Sequence, residues 1–267
     1  MLFRSMSNLI KRILTSLFIL PITIYAVYKG ETTFLLYLML ITSLSFWEYK
    51  NILKIKSMIY LTVSFLIVIL FPVFAYNKLD LFFYLALFVF LVWFVRILYN
   101  KVEIKEFWSS YLFIILYTGF GINFSILIRN LDYGMWLLGS VLIVSALNDI
   151  SAYLIGKFFG VRKAFPKVSP NKTFEGSFAG IIVSIISTVF LFNYLEFGLS
   201  IVHSMFIGLL ISFLGIVGDL FESYIKRKSG VKDTGSILPG HGGILDRVDS
   251  LIFILPVFYL TSKYLII

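Results

Sequence analysis

The chain has 267 residues, of which 60% are hydrophobic, 18% aromatic and only 14% charged. A soluble domain carries roughly 25% charged and about 45–50% apolar residues, so an ordinary soluble enzyme is excluded. The absence of cysteine excludes disulfides, thiolate nucleophiles and cysteine zinc sites, and the net charge of +9 is distributed for a membrane, with no nucleic acid as partner.

Apolar blocks of roughly twenty residues, enough to cross about 30 Å of hydrocarbon as helix, recur along the whole chain. Nine spans are expected, near residues 12–28, 33–49, 58–76, 80–99, 108–128, 133–156, 174–194, 199–224 and 247–265. The expected fold is therefore all-α, a polytopic transmembrane helical bundle of about nine spans. Lys and Arg alternate between its two sides. One side collects Arg4, Lys11 and Arg12, then Lys50, Lys54 and Lys56, then Arg96, Lys101 and Lys105, then Lys157, Arg162, Lys163, Lys167 and Lys172, and finally Lys226, Arg227, Lys228, Lys232 and Arg247. The other side has only Lys29, Lys78, Arg129 and Lys263. Basic loops mark the cytoplasm, which puts the N-terminus inside and the C-terminus outside, in a multi-pass protein of the cytoplasmic (inner) membrane. The first block, "ILTSLFILPITIYAVY", follows a basic start as a signal peptide would. No small-residue cleavage site follows it, so it is read as a retained span.

Through residue 130 the acids stand at span margins (Glu31, Glu48, Asp80, Glu103, Glu106). Residues 1–130 thus read as a transmembrane scaffold, and 131–267 as the catalytic region with its loops. No internal repeat supports an inverted-repeat transporter.

Three clusters carry chemistry in the second half. In "LNDISAYLIGKFFGVRKAFPKVSPNKTFEGSFAG", 147–180, Asp149 interrupts an apolar helix, where an ionised carboxylate costs at least ~3 kcal/mol. Tyr153, four residues on, shares its face. Ser169-Pro170-Asn171 has turn chemistry, Thr173 or Asn171 suits a helix cap, and Lys172 beside a helix start makes an anion site. Gly176 and Gly180, four apart, suit close helix packing. In "LGIVGDLFESYIKRK", 214–228, Asp219 and Glu222 share a helical face. Glu222 can equally form an i,i+4 pair with Lys226 on a helix emerging into water.

The third cluster is "GVKDTGSILPGHGG" followed by "ILDRVDS". Glycines 240, 242 and 243 let backbone amides approach a ligand, and Asp246 and Asp249 share a face of the last span. Carboxylate pairs on consecutive helices, joined by a basic glycine loop, suit a divalent metal and phosphate groups. His241 lies in the charged loop, where phosphate contact, loop shaping or acid–base work are all open to it. His203, at the start of the eighth span, reads as interfacial.

The stretch "SYIKRKSGVKDTGSILPGHGGILDRVD", 223–249, closely resembles the signature of the phosphatidate cytidylyltransferases, or CDP-diacylglycerol synthases. Every fixed position of S-x-x-K-R-x4-K-D-x-G-x2-L-P-G-H-G-G-x-x-D-R-x-D is filled, by Ser223, Lys226, Arg227, Lys232, Asp233, Gly235, Leu238, Pro239, Gly240, His241, Gly242, Gly243, Asp246, Arg247 and Asp249. Upstream, "DISAYLIGKFFG" and "SPNKTFEG" resemble a second region of the family, with Ala179-Gly180 where a glycine pair is expected. The resemblance implies transfer of CMP from CTP to phosphatidic acid at the bilayer, giving CDP-diacylglycerol and pyrophosphate, with magnesium as cofactor and room for a second metal or a monovalent cation. It implies Asp219 and Asp246 as metal ligands, with Asp249 and Asp149 as further candidates. Lys172, Lys226, Arg227, Lys232 and Arg247 would hold substrate phosphates together with the amides of Gly242 and Gly243. Asp219, Asp246, Lys226, Lys232 and His241 form the expected catalytic set.

A lipid kinase would need similar parts, but neither a G-x4-G-K-[ST] loop nor the protein-kinase set is present. The D-G-x2-A-R core of the CDP-alcohol phosphotransferases is also absent. An ion-coupled transporter would place its acids near the midplane, whereas these cluster at one end of their spans. A homodimer is compatible with the sequence, which does not specify one.

Overall fold

The computed structural model describes residues 2–53, 58–100, 111–240 and 242–266. Lys54, Lys56, Lys101, Lys105, Glu103, Glu106, His241 and the start of the fifth expected span lie outside the described residues, as do the side chains of Arg4, Arg12 and Arg96. The chain forms two compact units, Met1–Leu127 with Lys228–Val248, and Ile128–Arg227 with Asp249–Ile267.

The first unit begins with α1 (Leu2–Lys29) and α2 (Glu31–Ile52). Only Gly30 separates them, at φ 66°, a left-handed conformation that glycine adopts without steric penalty. A hydrogen bond of 2.7 Å between Thr23 Oγ1 and Tyr37 Oη joins the two helices. Then come α3 (Met58–Asn77) and α4 (Leu79–Asn100). The expected fifth span is broken into α5 (Tyr111–Gly119) and the start of α6 (Phe124–Arg129). The break has a local cause. Gly119 and Gly121 weaken the helix, and Asn123 Nδ2 takes the Gly119 carbonyl at 2.6 Å, offering the backbone an alternative partner.

Phenylalanines fill the space around this break. Phe82 stacks on Phe120 at 5.2 Å between ring centroids, and Phe71 and Phe124 meet this pair edge-on. A Cβ at position 119 would come within 2.6 Å of the Phe71 ring, so glycine there admits the cluster. Tyr49, fully buried, packs against Tyr117.

The second unit contains α7 (Gly134–Phe159), a β-hairpin, α8 (Phe174–Tyr194), α9 (Ile201–Lys228) and most of α10 (Leu245–Thr261), which ends in a π-helical turn, Ser262–Ile266. The hairpin pairs β1 (Lys163–Phe165) with β2 (Ser169–Thr173) in antiparallel register, Lys163 opposite Thr173. The expected helical fold stands, and the hairpin departs only from the turn expected at Ser169-Pro170-Asn171. Ser169-Pro170-Asn171 form a strand, and the turn falls at Pro166–Val168. Proline is admissible because both strands of a two-stranded ladder are edges. The expected cap is present, with the Gly176 amide donating to Thr173 Oγ1 at 3.2 Å. Glu175 fastens the entry to the hairpin by accepting from the amides of Val161 and Arg162.

Small residues bring these helices together, as membrane helix packing favours. A Cβ at Gly176 would lie 2.5 Å from the Ala152 carbonyl oxygen, and one at Gly180 would lie 2.8 Å from Asn148 Oδ1. Ser184 Oγ donates to the Gly208 carbonyl at 2.9 Å, and a Cβ at Gly208 would meet Ile185 Cα at 2.8 Å. Gly218 lets α9 pass the backbone of Asp249 and Ser250 in the same way.

Among the described residues, five helical segments are long and apolar enough to cross a membrane: α3, α7, α8, α9 and Leu245–Ile266. Shorter apolar helical stretches occur at Leu14–Lys29, Leu79–Val92 and Phe113–Arg129. The chain is a multi-pass helical membrane protein. Overpacking a helix contact typically costs about 1–3 kcal/mol, so Gly208→Val should lower the thermal unfolding midpoint in detergent by several degrees. Gly139→Val, at a position open on all sides, should leave it unchanged.

Candidate active site

In the second unit, α9 and α10 carry their acids towards each other. Gly218 makes this possible, since a Cβ there would lie 2.6 Å from the Asp249 carbonyl oxygen. Asp249 is buried, and its Oδ1 accepts from the Ser250 amide at 2.7 Å. Asp219, Glu222 and Lys226 are its ionisable neighbours.

Two lysines balance these acids. Lys172 Nζ lies 2.6 Å from Asp219 Oδ2, with about a third of that aspartate exposed. Lys226 Nζ lies 2.6 Å from Glu222 Oε2, with Glu222 buried and Lys226 largely covered. The expected Glu222–Lys226 pair therefore exists, but in the interior rather than on a helix entering water. Ser223 Oγ donates to Asp219 Oδ1 at 3.2 Å. The cap at Thr173 fixes the direction of the backbone beside Lys172, which is how β2 delivers that lysine to Asp219.

The remaining expected residues of this unit are less central. Arg227 is exposed, with Nε 3.4 Å from the Val168 carbonyl in the hairpin turn. Asp149 is exposed on α7 and accepts from Asn148 Nδ2 at 3.2 Å. Its neighbour Asn148 is buried and takes the Ser212 hydroxyl at 2.6 Å. His203 is exposed and pairs with Ser200 at 2.7 Å at the start of α9.

The signature loop belongs to the first unit. Asp246 Oδ2 accepts from the Thr234 amide at 3.0 Å, the Thr234 hydroxyl at 2.9 Å and the Gly243 amide at 2.8 Å. The Gly243 amide is thus committed inside the loop, where the sequence suggested a phosphate contact. Lys232 and Arg247 are exposed. Thr15 on α1 reaches the same loop, donating to the Pro239 carbonyl at 2.9 Å.

One residue here went unrecognised in the sequence. Glu48, 1% exposed on α2, accepts from the amides of Ile244 at 3.0 Å and Leu245 at 2.8 Å, and its Oε2 is 3.2 Å from the Thr234 hydroxyl. It falls within the expected span 33–49, so the rule that an intramembrane acid is functional applied to it. Its position near the end of the span made it read as marginal.

Among the described residues, no three His, Asp or Glu side chains converge as a complete metal cage. Asp219 and Asp249 nevertheless offer hard oxygen donors on adjacent helices, and magnesium commonly takes one or two carboxylates and fills its shell with water and phosphate. The donor set fits that ion.

The cytidylyltransferase family model matches residues 10–265. The chain belongs to that family. It is 41% identical over 145 residues to a phosphatidate cytidylyltransferase of Bacillus subtilis, covering 54% of each chain. It is 42% identical over 145 residues to one of Staphylococcus haemolyticus, covering 54% of this chain and 55% of that one. An uncharacterized protein of Escherichia coli, YnbB, is 46% identical over 135 residues, covering 51% of this chain and 45% of that one. The chain spans about half the length of the curated relatives it matches.

Removing one partner of a buried ion pair typically costs about 3–5 kcal/mol. Lys226→Met should therefore lower stability sharply in detergent unfolding, and adding Glu222→Gln should restore most of the loss. Equal stability of the single and double variants would show that the Glu222 charge does not depend on Lys226.

Proposed function

We propose that this membrane protein transfers CMP from CTP to phosphatidic acid, releasing pyrophosphate. The observation that carries the reading is the pairing of acids with lysines within the family signature and beside it, Asp219 with Lys172 and Glu222 with Lys226 around Asp249. The relatives named phosphatidate cytidylyltransferase support it.

The chemistry asks for little proton transfer. The attacking oxygen of a lipid phosphate is already anionic, and the obstacle is its repulsion by a triphosphate. Positioning and charge neutralisation dominate such displacements. Lys172, Lys226, Arg227, Lys232 and Arg247 supply the positive charge for the phosphates. Asp219 and Asp249 are the proposed oxygen donors for magnesium in the second unit, and Asp246 is the candidate donor in the first. When bound, the ion would polarise phosphoryl oxygens and offset the charge developing on the pyrophosphate.

We also propose nine spans with the N-terminus inside the cell and the reaction on the cytoplasmic side of the inner membrane. Nineteen of the 23 Lys and Arg fall on one side of that arrangement, as the positive-inside rule requires. CTP would then be met from the cytosol and the lipid phosphate at headgroup depth.

The test uses purified protein in mixed micelles with phosphatidic acid and magnesium, given CTP labelled on the α- or the γ-phosphate. Label should enter the lipid from α-labelled CTP alone, with at least about a hundredfold loss in Asp219→Asn, the scale seen when one transition-state charge contact is removed. Lipid labelling from γ-labelled CTP alone would make the protein a kinase.

A further inference from the structure

The first unit holds a buried acid to which the proposed reaction assigns no role. Glu48 sits on α2, nearly 190 residues before the loop it contacts, and is the one acid among the buried residues of that helix. The amides of Ile244 and Leu245 donate to it, and the Thr234 hydroxyl stands 3.2 Å from its Oε2. The two amides are those of the residue before α10 and of its first residue, where backbone N–H groups have no partner within the helix.

Capping alone does not call for this residue. A serine, threonine or asparagine just before α10 would satisfy such amides locally, without withdrawing a carboxylate from water. The feature specific to glutamate is its reach from a second helix to both ends of the loop. It grips residues 244 and 245 at one end and Thr234 at the other.

Thr234 is the link to Asp246. Its hydroxyl has one proton and stands between two carboxylate oxygens, 2.9 Å from Asp246 Oδ2 and 3.2 Å from Glu48 Oε2. Its amide also donates to Asp246. The glycines are cut to the same arrangement. A Cβ at Gly235 would lie 2.5 Å from Glu48 Oε1, and one at Gly243 would run into Thr234 Oγ1 and Glu48 Oε2.

We propose that Glu48 is the positioning residue of the signature loop, fixing the direction of the Asp246 carboxylate through Thr234 and the amides of Ile244 and Leu245 at the start of α10. This rests on the reading of Asp246 as a residue that holds the metal. Outer-shell partners of metal ligands typically alter affinity or activity by about 10–100-fold when replaced, and Glu48 should behave as one.

The full-length protein in detergent is titrated with Mn2+ by electron paramagnetic resonance, and kcat and KM for CMP transfer are measured alongside. Glu48→Gln keeps the side-chain length but turns an acceptor oxygen towards donors as an NH2 group. It should raise the Mn2+ dissociation constant at least about tenfold and lower kcat, with KM for phosphatidic acid unchanged. Thr234→Val should shift Mn2+ binding in the same direction, and Thr234→Ser should restore it. The Thr234 pair decides the matter if the Glu48 variant does not fold. Wild-type Mn2+ affinity in both Glu48→Gln and Thr234→Val would overturn the proposal. Wild-type protein that binds Mn2+ but transfers no CMP would overturn the functional reading instead, leaving the positioning role to the Mn2+ titrations.

Discussion

A carboxylate withdrawn from water must be given donors or a counter-charge, since leaving it with neither costs many kcal/mol. That requirement shapes both units of this protein, and each meets it differently. In the first, Glu48 is surrounded by neutral dipoles: two amides at the start of α10 and one hydroxyl. In the second, Asp219 and Glu222 are answered by full charges, Lys172 and Lys226. Neutral donors at a helix start are fixed by the backbone and hold a loop in one geometry. Lysines are flexible, strongly hydrated point charges, suited to a place where phosphate oxygens come and go.

The glycines of the signature follow from the same requirement. As sequence, Gly240, Gly242 and Gly243 suggested backbone amides presented to a ligand. The structure gives two of them another duty. Gly242 stands at φ +84°, and a Cβ there would lie 2.6 Å from Asp246 Oδ2. Gly243 gives its amide to that same oxygen. Packing two carboxylates against one short stretch of backbone leaves no room for side chains on it. At these positions the motif makes room for the protein's own acids.

Legibility in the sequence divided along physical lines. Thr173 as cap and Gly176 and Gly180 as packing positions could be read directly, because each depends on local geometry or on one helical face. So could the Glu222–Lys226 pair, although not its burial. The hairpin was hidden because Ser, Pro and Asn favour turns, and only pairing with β1 makes a strand of them. The break before α6 was hidden inside a hydrophobic run whose composition is the same on both sides. Glu48 was hidden for a different reason. An acid near the end of an apolar helix looks solvated until the loop that covers it, far away in sequence, is known.

The signature itself is a unit of sequence rather than of packing. Ser223 to Arg227 and Asp249 belong to the second compact unit, while Lys228 to Val248 belong to the first. Leu238 serves the loop within the first unit, its amide pairing with the Gly242 carbonyl at 2.9 Å. The division separates two demands that the motif satisfies together. The acids and lysines of α9 and α10 provide charge, and the glycine loop under Glu48 provides direction. For the proposed displacement between two anions, charge without direction would bind both substrates and align neither.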